Sequence, residues 1–187
     1  MLLWTCEIGR VNILLEKYLL STHLASPYIG NLEQVVNIFG YLKDSSKRKL
    51  VFDPGLPKID INRFHRFDWQ DFYKGVKEAI PPNMPNPRGN SLSTHCFVDA
   101  NHAGNTVTRR SQTGIIILVN KALIIAFSKR KNTVEASTFG GKFTELKNAV
   151  KLVKDLRYKL RMFGVPIEGP TNVLCDNESV YKNVYTP

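Results

Sequence analysis

The sequence predicts an α/β fold in which a mixed β-sheet follows a helical segment. Two observations lead to this prediction. After residue 93 the apolar patterns follow the order β-β-β-α-β-α, which is typical of a mixed sheet with helices packed on it. Before residue 54 the apolar residues recur mainly at helical spacing. The chain therefore divides into a helical segment at residues 1–53, a connector at residues 54–93 and an α/β domain at residues 94–187.

The helical segment carries a clear amphipathic pattern. The stretch KLVFD at its end has β-favouring residues and predicts a short strand. We therefore expect the segment to bury one helix face and to finish in a strand. The expected helix is NLEQVVNIFGYLKD, with apolar positions Leu32, Val35, Val36, Phe39 and Leu42.

The connector is predicted to be extended and to contribute little to a core. It holds six prolines, which interrupt helices and central strands. It also holds an aromatic stretch, RFHRFDWQDFY. Because aromatic residues are enriched at interfaces, this stretch is expected to dock on the rest of the chain or on a partner protein.

The α/β domain opens with three predicted strands, HCFVD, TGIIILV and ALIIAF. Asn120 and Lys121 separate the last two strands and predict a tight hairpin turn. A basic loop, SKRKNT, is expected to follow the third strand. This order predicts an antiparallel hairpin within the sheet.

A long helix, a fourth strand and a second helix complete the predicted domain. Ser137 or Thr138 can cap the long helix, and Gly164 can end it. TNVLCD predicts the fourth strand, and NESVYKNV predicts the last helix. The apolar positions expected to face the core from the long helix are Phe143, Leu146, Val150, Val153, Leu160 and Phe163.

The charge of the chain is positive and unevenly placed. The formal net charge is +10, and residues 128–161 hold ten Lys or Arg residues against three Asp or Glu residues. Such a basic face indicates a polyanionic partner, with nucleic acid as the first candidate. A solvated helix face gives the same pattern, so charge alone leaves both interpretations open.

The composition argues against several other classes of protein. The longest apolar runs are far shorter than a bilayer-spanning helix, so no membrane partner is expected. The three cysteines lack a paired short spacing, which argues against a disulfide framework or a zinc site. Their number favours a reducing, intracellular compartment.

Two predicted strands end on an aspartate that is followed by a polar turn, Asp99 and Asp176. If these strands are neighbours, the two carboxylates repel each other unless a cation lies between them. Carboxylates that share divalent metal ions are the usual basis of two-metal phosphodiester hydrolysis. The alternative interpretation is that each aspartate only caps a turn or a helix.

Several stretches of the chain resemble one family. FVDANHAG, TRRSQTG, SKRKNTVEASTFGGKFTELKNA, LRYKL and CDNES are similar to the RNase H domain of Ty1/copia-type retrotransposon Pol polyproteins. Residues 16–54 resemble the segment that joins the reverse transcriptase to that domain. The resemblance implies the RNase H fold and magnesium-dependent cleavage of the RNA strand in RNA–DNA hybrids. It also implies that residues 1–53 are a reverse transcriptase C-terminal segment.

The same resemblance implies that Asp99 and Asp176 are catalytic and metal-binding. With the repeated strand-to-Asp pattern, the family's order also predicts that the two strands are neighbours, with both carboxylates close together at one edge of the sheet. The family's next ligand is a glutamate on the long helix, and its position here holds Lys142. A lysine cannot bind magnesium, because its ammonium group has no lone pair. We therefore expect weak or absent magnesium binding, impaired catalysis, and the Lys142 ammonium close to Asp99 or Asp176.

Other departures from the family are smaller. Asn101 stands where the family often has a second aspartate. Glu178 is a candidate replacement for the missing glutamate, although an acidic residue at a helix start is favourable in any case. The family's last strand and final helix would lie beyond Pro187, so the domain is expected to be incomplete at its C-terminus.

Three functions are compatible with the sequence. The first is a degenerate RNase H-like domain, catalytically impaired but able to bind nucleic acid. The second is an active magnesium-dependent ribonuclease on RNA–DNA hybrids, and the third is a protein-interaction module built on the connector. Lys142 favours the first of these. The residues expected to contact phosphates are Arg109, Arg110, Lys129, Arg130 and Lys131.

Overall fold

The computed structural model describes residues 2–60, 62, 73–101, 110–132 and 137–185. The chain forms a mixed α/β fold, as predicted, and the elements of the sheet domain follow the expected order. Three helices and a short 3-10 helix precede the sheet domain: α1 (Leu2–Glu7), the 3-10 helix (Val11–Ile13), α2 (Leu14–Ser21) and α3 (Ile29–Asp44). The sheet domain contains β1 (Thr94–Asn101), β2 (Gln112–Val119), β3 (Ala122–Arg130), α4 (Thr138–Met162), β4 (Asn172–Cys175) and α5 (Glu178–Tyr185).

The four strands form one mixed sheet in the order β3-β2-β1-β4. Strands β1 and β2 pair antiparallel, as do β2 and β3, whereas β1 and β4 pair in parallel. The predicted hairpin between β2 and β3 is confirmed, and Asn120 takes the positive φ of 52° that this tight turn requires. The parallel β1–β4 pair makes the strand that carries Asp99 and the strand that precedes Asp176 neighbours, as predicted. The predicted end of β1 at Asp99 is wrong, because pairing with β2 continues to Asn101.

Strand β3 is longer than predicted. It continues through Ser128 and Lys129 to Arg130, so the expected basic loop begins as a strand. Each of these residues has a partner in β2, and Arg130 pairs with Gln112. Strand pairing with β2 therefore extends past the apolar run from which the strand was predicted.

Helix α4 packs on one face of the sheet and closes the main core. Ser137 caps the helix as predicted, since its hydroxyl accepts a hydrogen bond from the Gly140 amide at 3.1 Å. Gly164, with φ of 70°, follows the helix end. The buried core cluster consists of Cys96, Val98, Ile115, Ile117, Ala149 and Val153.

The predicted inner face of α4 was partly wrong. Phe143, Val150 and Phe163 are exposed, although their spacing had suggested burial. The buried residues instead follow one another at steps of four, so they form a single row along the helix. This row mixes small, apolar and charged side chains, which apolar periodicity cannot identify: Gly141, Glu145, Ala149, Val153 and Arg157.

The helical segment has a small core of its own, formed by Cys6, Ile13 and Ile38. The predicted α3 is confirmed, but its buried face was only partly right: Leu42 packs against this core, whereas Leu32, Val36 and Phe39 are exposed. Ile38 is the buried apolar residue of α3, and it lies in one cluster with Cys6 of α1 and Ile13 of the 3-10 helix. The contacts with the neighbouring helices therefore determine which face of α3 is buried.

The predicted strand at residues 49–53 is absent. Asp53 accepts a hydrogen bond from the Gly55 amide at 2.8 Å and binds Lys121 through an ion pair of 3.1 Å. The Gly55 carbonyl in turn accepts the Lys121 amide. These bonds tie this stretch to the β2–β3 turn instead of pairing it along a strand, which explains the difference.

The connector docks on α4 through Glu78. Both carboxylate oxygens of Glu78 accept hydrogen bonds from Arg157, each at 2.7 Å, and Arg161 donates to one of them at 2.6 Å. Hydrogen bonds from Arg157, opposed by burial and reinforced by Arg161, lower the pKa of Glu78 to about 2. The predicted aromatic stretch at residues 63–73 lies almost wholly outside the described residues.

Arg157 also joins the starts of the neighbouring parallel strands β1 and β4. It donates to the Thr94 and Thr171 hydroxyls at 3.3 and 3.2 Å and to the Gly169 carbonyl at 3.0 Å. Thr94 begins β1, and Thr171 precedes β4. One arginine therefore joins α4, the connector and two strands.

We predict that Glu78→Gln lowers the free energy of unfolding at pH 7 by about 1–3 kcal/mol, because Arg157 loses charged hydrogen bonds at a half-buried site. Glu78 has a folded-state pKa below its ordinary value, so its contribution is present above about pH 4.5 and disappears as the pH falls towards 2. The difference between the two proteins should shrink over this window. Denaturant titration at several pH values measures it.

The matched control is Glu33→Gln, which removes an exposed carboxylate from α3. This variant should change stability by no more than about 0.5 kcal/mol. Equal losses in the two variants would contradict the docking role of Glu78.

Candidate functional site

The candidate site lies where β1, β4 and the start of α4 meet. Val98 pairs with Cys175 in the parallel register, and Asp99 and Asp176 are the next residues along the two segments of the pair. The two aspartates therefore lie side by side where the parallel pairing ends. Lys142, in the first turns of α4, places its ammonium 2.5 Å from Asp176 Oδ1 and 3.3 Å from Asp99 Oδ1. Both predictions about this cluster, adjacent carboxylates and a nearby Lys142, are confirmed.

The lysine is the enclosed member of the cluster. Its side chain is 16% exposed, whereas those of Asp99 and Asp176 are 71% and 64% exposed. Burial lowers the pKa of Lys142, but the hydrogen bonds and charges of Asp176 and Asp99 outweigh it and raise the pKa overall. Lys142 therefore stays protonated and supplies positive charge to both carboxylates.

The residues present do not fit a magnesium ion in this cluster. Magnesium needs near-octahedral oxygen ligands at about 2.0–2.1 Å. The Lys142 ammonium has donors and no lone pair, and it contacts the same carboxylate oxygens that a metal would need. In the described part of the chain, no group of three or more His, Cys, Asp or Glu side chains is placed to hold a metal ion.

Glu178 does not replace the missing glutamate in the cluster. It forms an ion pair of 2.7 Å with Lys182 on the surface of α5, where both side chains are largely exposed. The hydrogen bond from Lys182 lowers the pKa of Glu178. Asn101 lies at the exposed end of β1, two residues after Asp99.

A buried ionic cluster lies one helical turn further along α4 and was missed in the sequence. Glu145 is fully buried, and its Oε2 accepts a hydrogen bond from the Thr113 hydroxyl and lies 3.6 Å from the Lys131 ammonium. Lys131 also donates to the Gly141 carbonyl. Burial raises the pKa of Glu145, although Thr113 and Lys131 act in the opposite direction.

Glu145 carried one signal that could have revealed it. It precedes Ala149 and Val153 at steps of four, which places a carboxylate in the row of residues that faces the sheet. A buried carboxylate needs a cation or hydrogen-bond donors nearby. The sequence did not identify Lys131 as that cation.

The prediction that Lys131 contacts phosphates is therefore wrong. Its side chain is buried, and its ammonium faces Glu145 and Gly141. Arg109 lies outside the described residues, so its predicted role stays a prediction. Lys129 and Arg130 lie on β3, and Arg110 lies just before β2; within the described ranges none of the three forms an ion pair.

Fewer cations in residues 128–161 are available to a polyanion than the charge count suggested. Five of the ten cations in residues 128–161 bind carboxylates of the described chain. Their charges are therefore partly neutralised within the protein. The paired cations are Lys131, Lys142, Arg157, Lys159 and Arg161.

A groove of about 990 Å³ leads to the aspartate pair along the other face of the sheet. Its walls come from α2, through Leu15 and Leu19, and from Phe97 and Ile116 of the sheet. Asp99 and Asp176 lie in its lining together with Arg110 and Arg130. The candidate site is thus open to solvent from the side away from α4.

No protein-family model matches this chain, and no solved structure is significantly similar to it. The fold and site define an α/β protein with a four-stranded mixed sheet and a lysine held between two aspartates. None of the helices in the described ranges combines the length and apolar character needed to cross a membrane.

We predict that Lys131→Gln destabilises the protein by roughly 3 kcal/mol at pH 7, because it leaves the Glu145 carboxylate buried without its cation. Burial already raises the pKa of Glu145, so acid protonates it readily once Lys131 is gone. The destabilisation should therefore decrease as the pH falls. Thermal and denaturant unfolding between pH 4 and 8 provide the measurement.

Lys129→Gln is the matched control, since Lys129 lies two residues earlier and is exposed. Its effect should stay within about 0.5 kcal/mol. If both variants lose the same stability, the buried pairing of Lys131 is not what stabilises this region.

Proposed function

We propose that this chain is a fragment of a Ty1/copia-type retrotransposon polyprotein with a degenerate RNase H-like domain. In this proposal the domain binds nucleic acid and does not cleave it efficiently. The observation that carries the proposal is the position of the Lys142 ammonium, 2.5 Å from Asp176 and 3.3 Å from Asp99. The β-β-β-α-β-α order is compatible with an RNase H-like sheet, and the motif resemblance supplies the family.

The chemistry of the cluster supports impaired catalysis. Two-metal hydrolysis requires carboxylates that hold two ions about 4 Å apart on either side of the reacting phosphate. Asp99 and Asp176 instead share one ammonium, which cannot lower the pKa of a bound water as a metal ion does. The lysine satisfies the electrostatic need of the two aspartates without supplying the catalytic function of the metal.

The remaining cations support a nucleic-acid partner. Arg110, Lys129 and Arg130 form no ion pair with a described residue, so they are available to phosphates. Phosphate contacts of this kind give sequence-independent binding that weakens as salt displaces the protein. An RNA–DNA hybrid is the partner that the family resemblance implies.

We predict that Lys142→Glu creates a magnesium site. Without magnesium, three neighbouring carboxylates should destabilise the variant by about 1–3 kcal/mol. Magnesium should bind the variant more tightly than the unaltered protein and should restore its stability through linkage. Isothermal titration calorimetry and thermal unfolding with and without magnesium measure both effects.

Lys147→Glu is the control for a general change of charge, because Lys147 is exposed on the same helix and undergoes the same substitution. It should gain no comparable magnesium affinity. If the unaltered protein binds magnesium as tightly as the Lys142→Glu variant, the lysine does not block the site and the proposal of a degenerate centre fails.

We also predict that the unaltered protein binds a labelled RNA–DNA hybrid equally well with magnesium or with EDTA, because its phosphate contacts come from side chains. Affinity should fall steeply with salt. Gel analysis of the same hybrid with magnesium should show no cleavage above a protein-free control. Efficient magnesium-dependent cleavage would establish the active ribonuclease instead, and an absence of binding at low salt would contradict the nucleic-acid partner.

A further inference from the structure

A second cleft, separate from the aspartate cluster, lies between β3 and α4. Its volume is about 460 Å³, within the range of small-ligand sites. Phe127 and Lys129 line it from β3, and Thr144, Asn148 and Lys151 line it from α4. Among the described residues that line it there is no aspartate or glutamate, and Asp99 is not one of them.

The sheet register explains why an aromatic ring lies open in this cleft. Phe127 is paired with Ile115 and Lys129 with Thr113, so both side chains lie on the α4 face of the sheet. Helix α4 packs on β1 and β2, and β3 is the edge strand. The Phe127 side chain therefore faces the helix side yet remains 39% exposed.

The polar residues around this ring are free to bind a ligand. Lys129 and Lys151 are exposed, and neither forms an ion pair within the described part of the chain. Asn148 adds an exposed amide, which can both donate and accept hydrogen bonds, and Thr144 adds a hydroxyl. Lys131 also borders the cleft, but its ammonium is engaged by Glu145 and Gly141.

We propose that this cleft binds an unstacked nucleotide of a single-stranded nucleic acid. The base stacks on Phe127, Lys129 and Lys151 bind the flanking phosphates, and Asn148 contacts a base edge. Single-strand binding sites commonly combine an aromatic platform with a basic groove in this way. Bases within a duplex are already stacked on their neighbours, so the ring favours a single strand over a duplex.

This inference rests on the proposed nucleic-acid partner and adds a site for a single strand to the hybrid contacts proposed above. It is independent of the state of the aspartate cluster. Lys129, Asn148 and Lys151 line this cleft and not the open groove, whereas Phe127 borders both.

Fluorescence anisotropy with the full chain tests the proposal with two probes, a labelled oligothymidylate and an abasic oligomer of the same length. Phe127→Leu keeps an apolar side chain and removes the ring. It should weaken oligothymidylate binding roughly fivefold or more, the effect expected for loss of one base–aromatic stack. Binding of the abasic oligomer should not change, because it offers no base to stack.

The double variant Lys129→Gln/Lys151→Gln tests the phosphate contacts. The slope of log affinity against log salt should become shallower by about 1.4, since each phosphate contact of a single strand contributes about 0.7. Lys147→Gln/Lys154→Gln is the matched control, because it removes two exposed cations of α4 that do not line the cleft. The control should leave the slope close to that of the unaltered protein.

If the two double variants show the same slope of log affinity against log salt, the phosphate contacts assigned to the cleft are overturned, although the protein still binds nucleic acid. If Phe127→Leu weakens binding of oligothymidylate and of the abasic oligomer equally, the stacking role of Phe127 is overturned. A loss of RNA–DNA hybrid binding in Phe127→Leu as large as its loss of oligothymidylate binding overturns the assignment of this cleft to a single strand. Because Phe127→Leu can disturb folding, Asn148→Asp is the second variant, and an exposed negative charge there should weaken oligothymidylate binding at unchanged thermal stability. Failure of the unaltered protein to bind oligothymidylate while it still binds the RNA–DNA hybrid overturns this inference alone, and failure to bind either of these nucleic acids at low salt removes the nucleic-acid partner itself.

Discussion

The close packing of α4 against β1 and β2 determines where Lys142, Glu145 and Arg157 lie. Ala149 is fully buried, and its small side chain lets the helix approach the sheet closely at Cys96 and Val98. This contact fixes the rotation of the helix about its own axis, so it also fixes which side chains face the sheet at the two ends of the helix. Lys142 and Arg157 are fifteen residues apart, so they lie about 22 Å from each other at opposite ends of the sheet.

Each charged residue on the inner row of α4 is matched by groups from another part of the chain. Glu145 binds Lys131 and the Thr113 hydroxyl, and Arg157 binds Glu78 of the connector. A buried charge without such partners is strongly unfavourable, so these residues specify the position of α4 on the sheet as well as the stability of the fold. They also remove cations from the basic face, which narrows the surface available to phosphates.

The Lys142 cluster follows the same rule at the edge of the sheet. Two neighbouring carboxylates need positive charge, and here the helix itself supplies it. In the proposed function, this internal cation makes the fold independent of magnesium and leaves the domain able to bind nucleic acid without hydrolysing it. Binding and catalysis then depend on different residues, with Lys129 and Lys151 on the α4 side of the sheet and the aspartates at its edge.

Local sequence patterns determined the element order of the sheet domain, the hairpin at Asn120 and the cap at Ser137, whereas the adjacency of Asp99 and Asp176 was expected only with the help of the family's strand order. The first three features depend on short-range periodicity and turn chemistry, which a single stretch of chain contains. The resemblance to a known family added the expectation for Lys142. The tertiary structure alone decided which face of α4 is buried, because Glu145 becomes acceptable inside only when Lys131 and Thr113 meet it there. It likewise decided that Glu78 docks on Arg157, seventy-nine residues away in the chain, since a pairing at that separation leaves no local pattern.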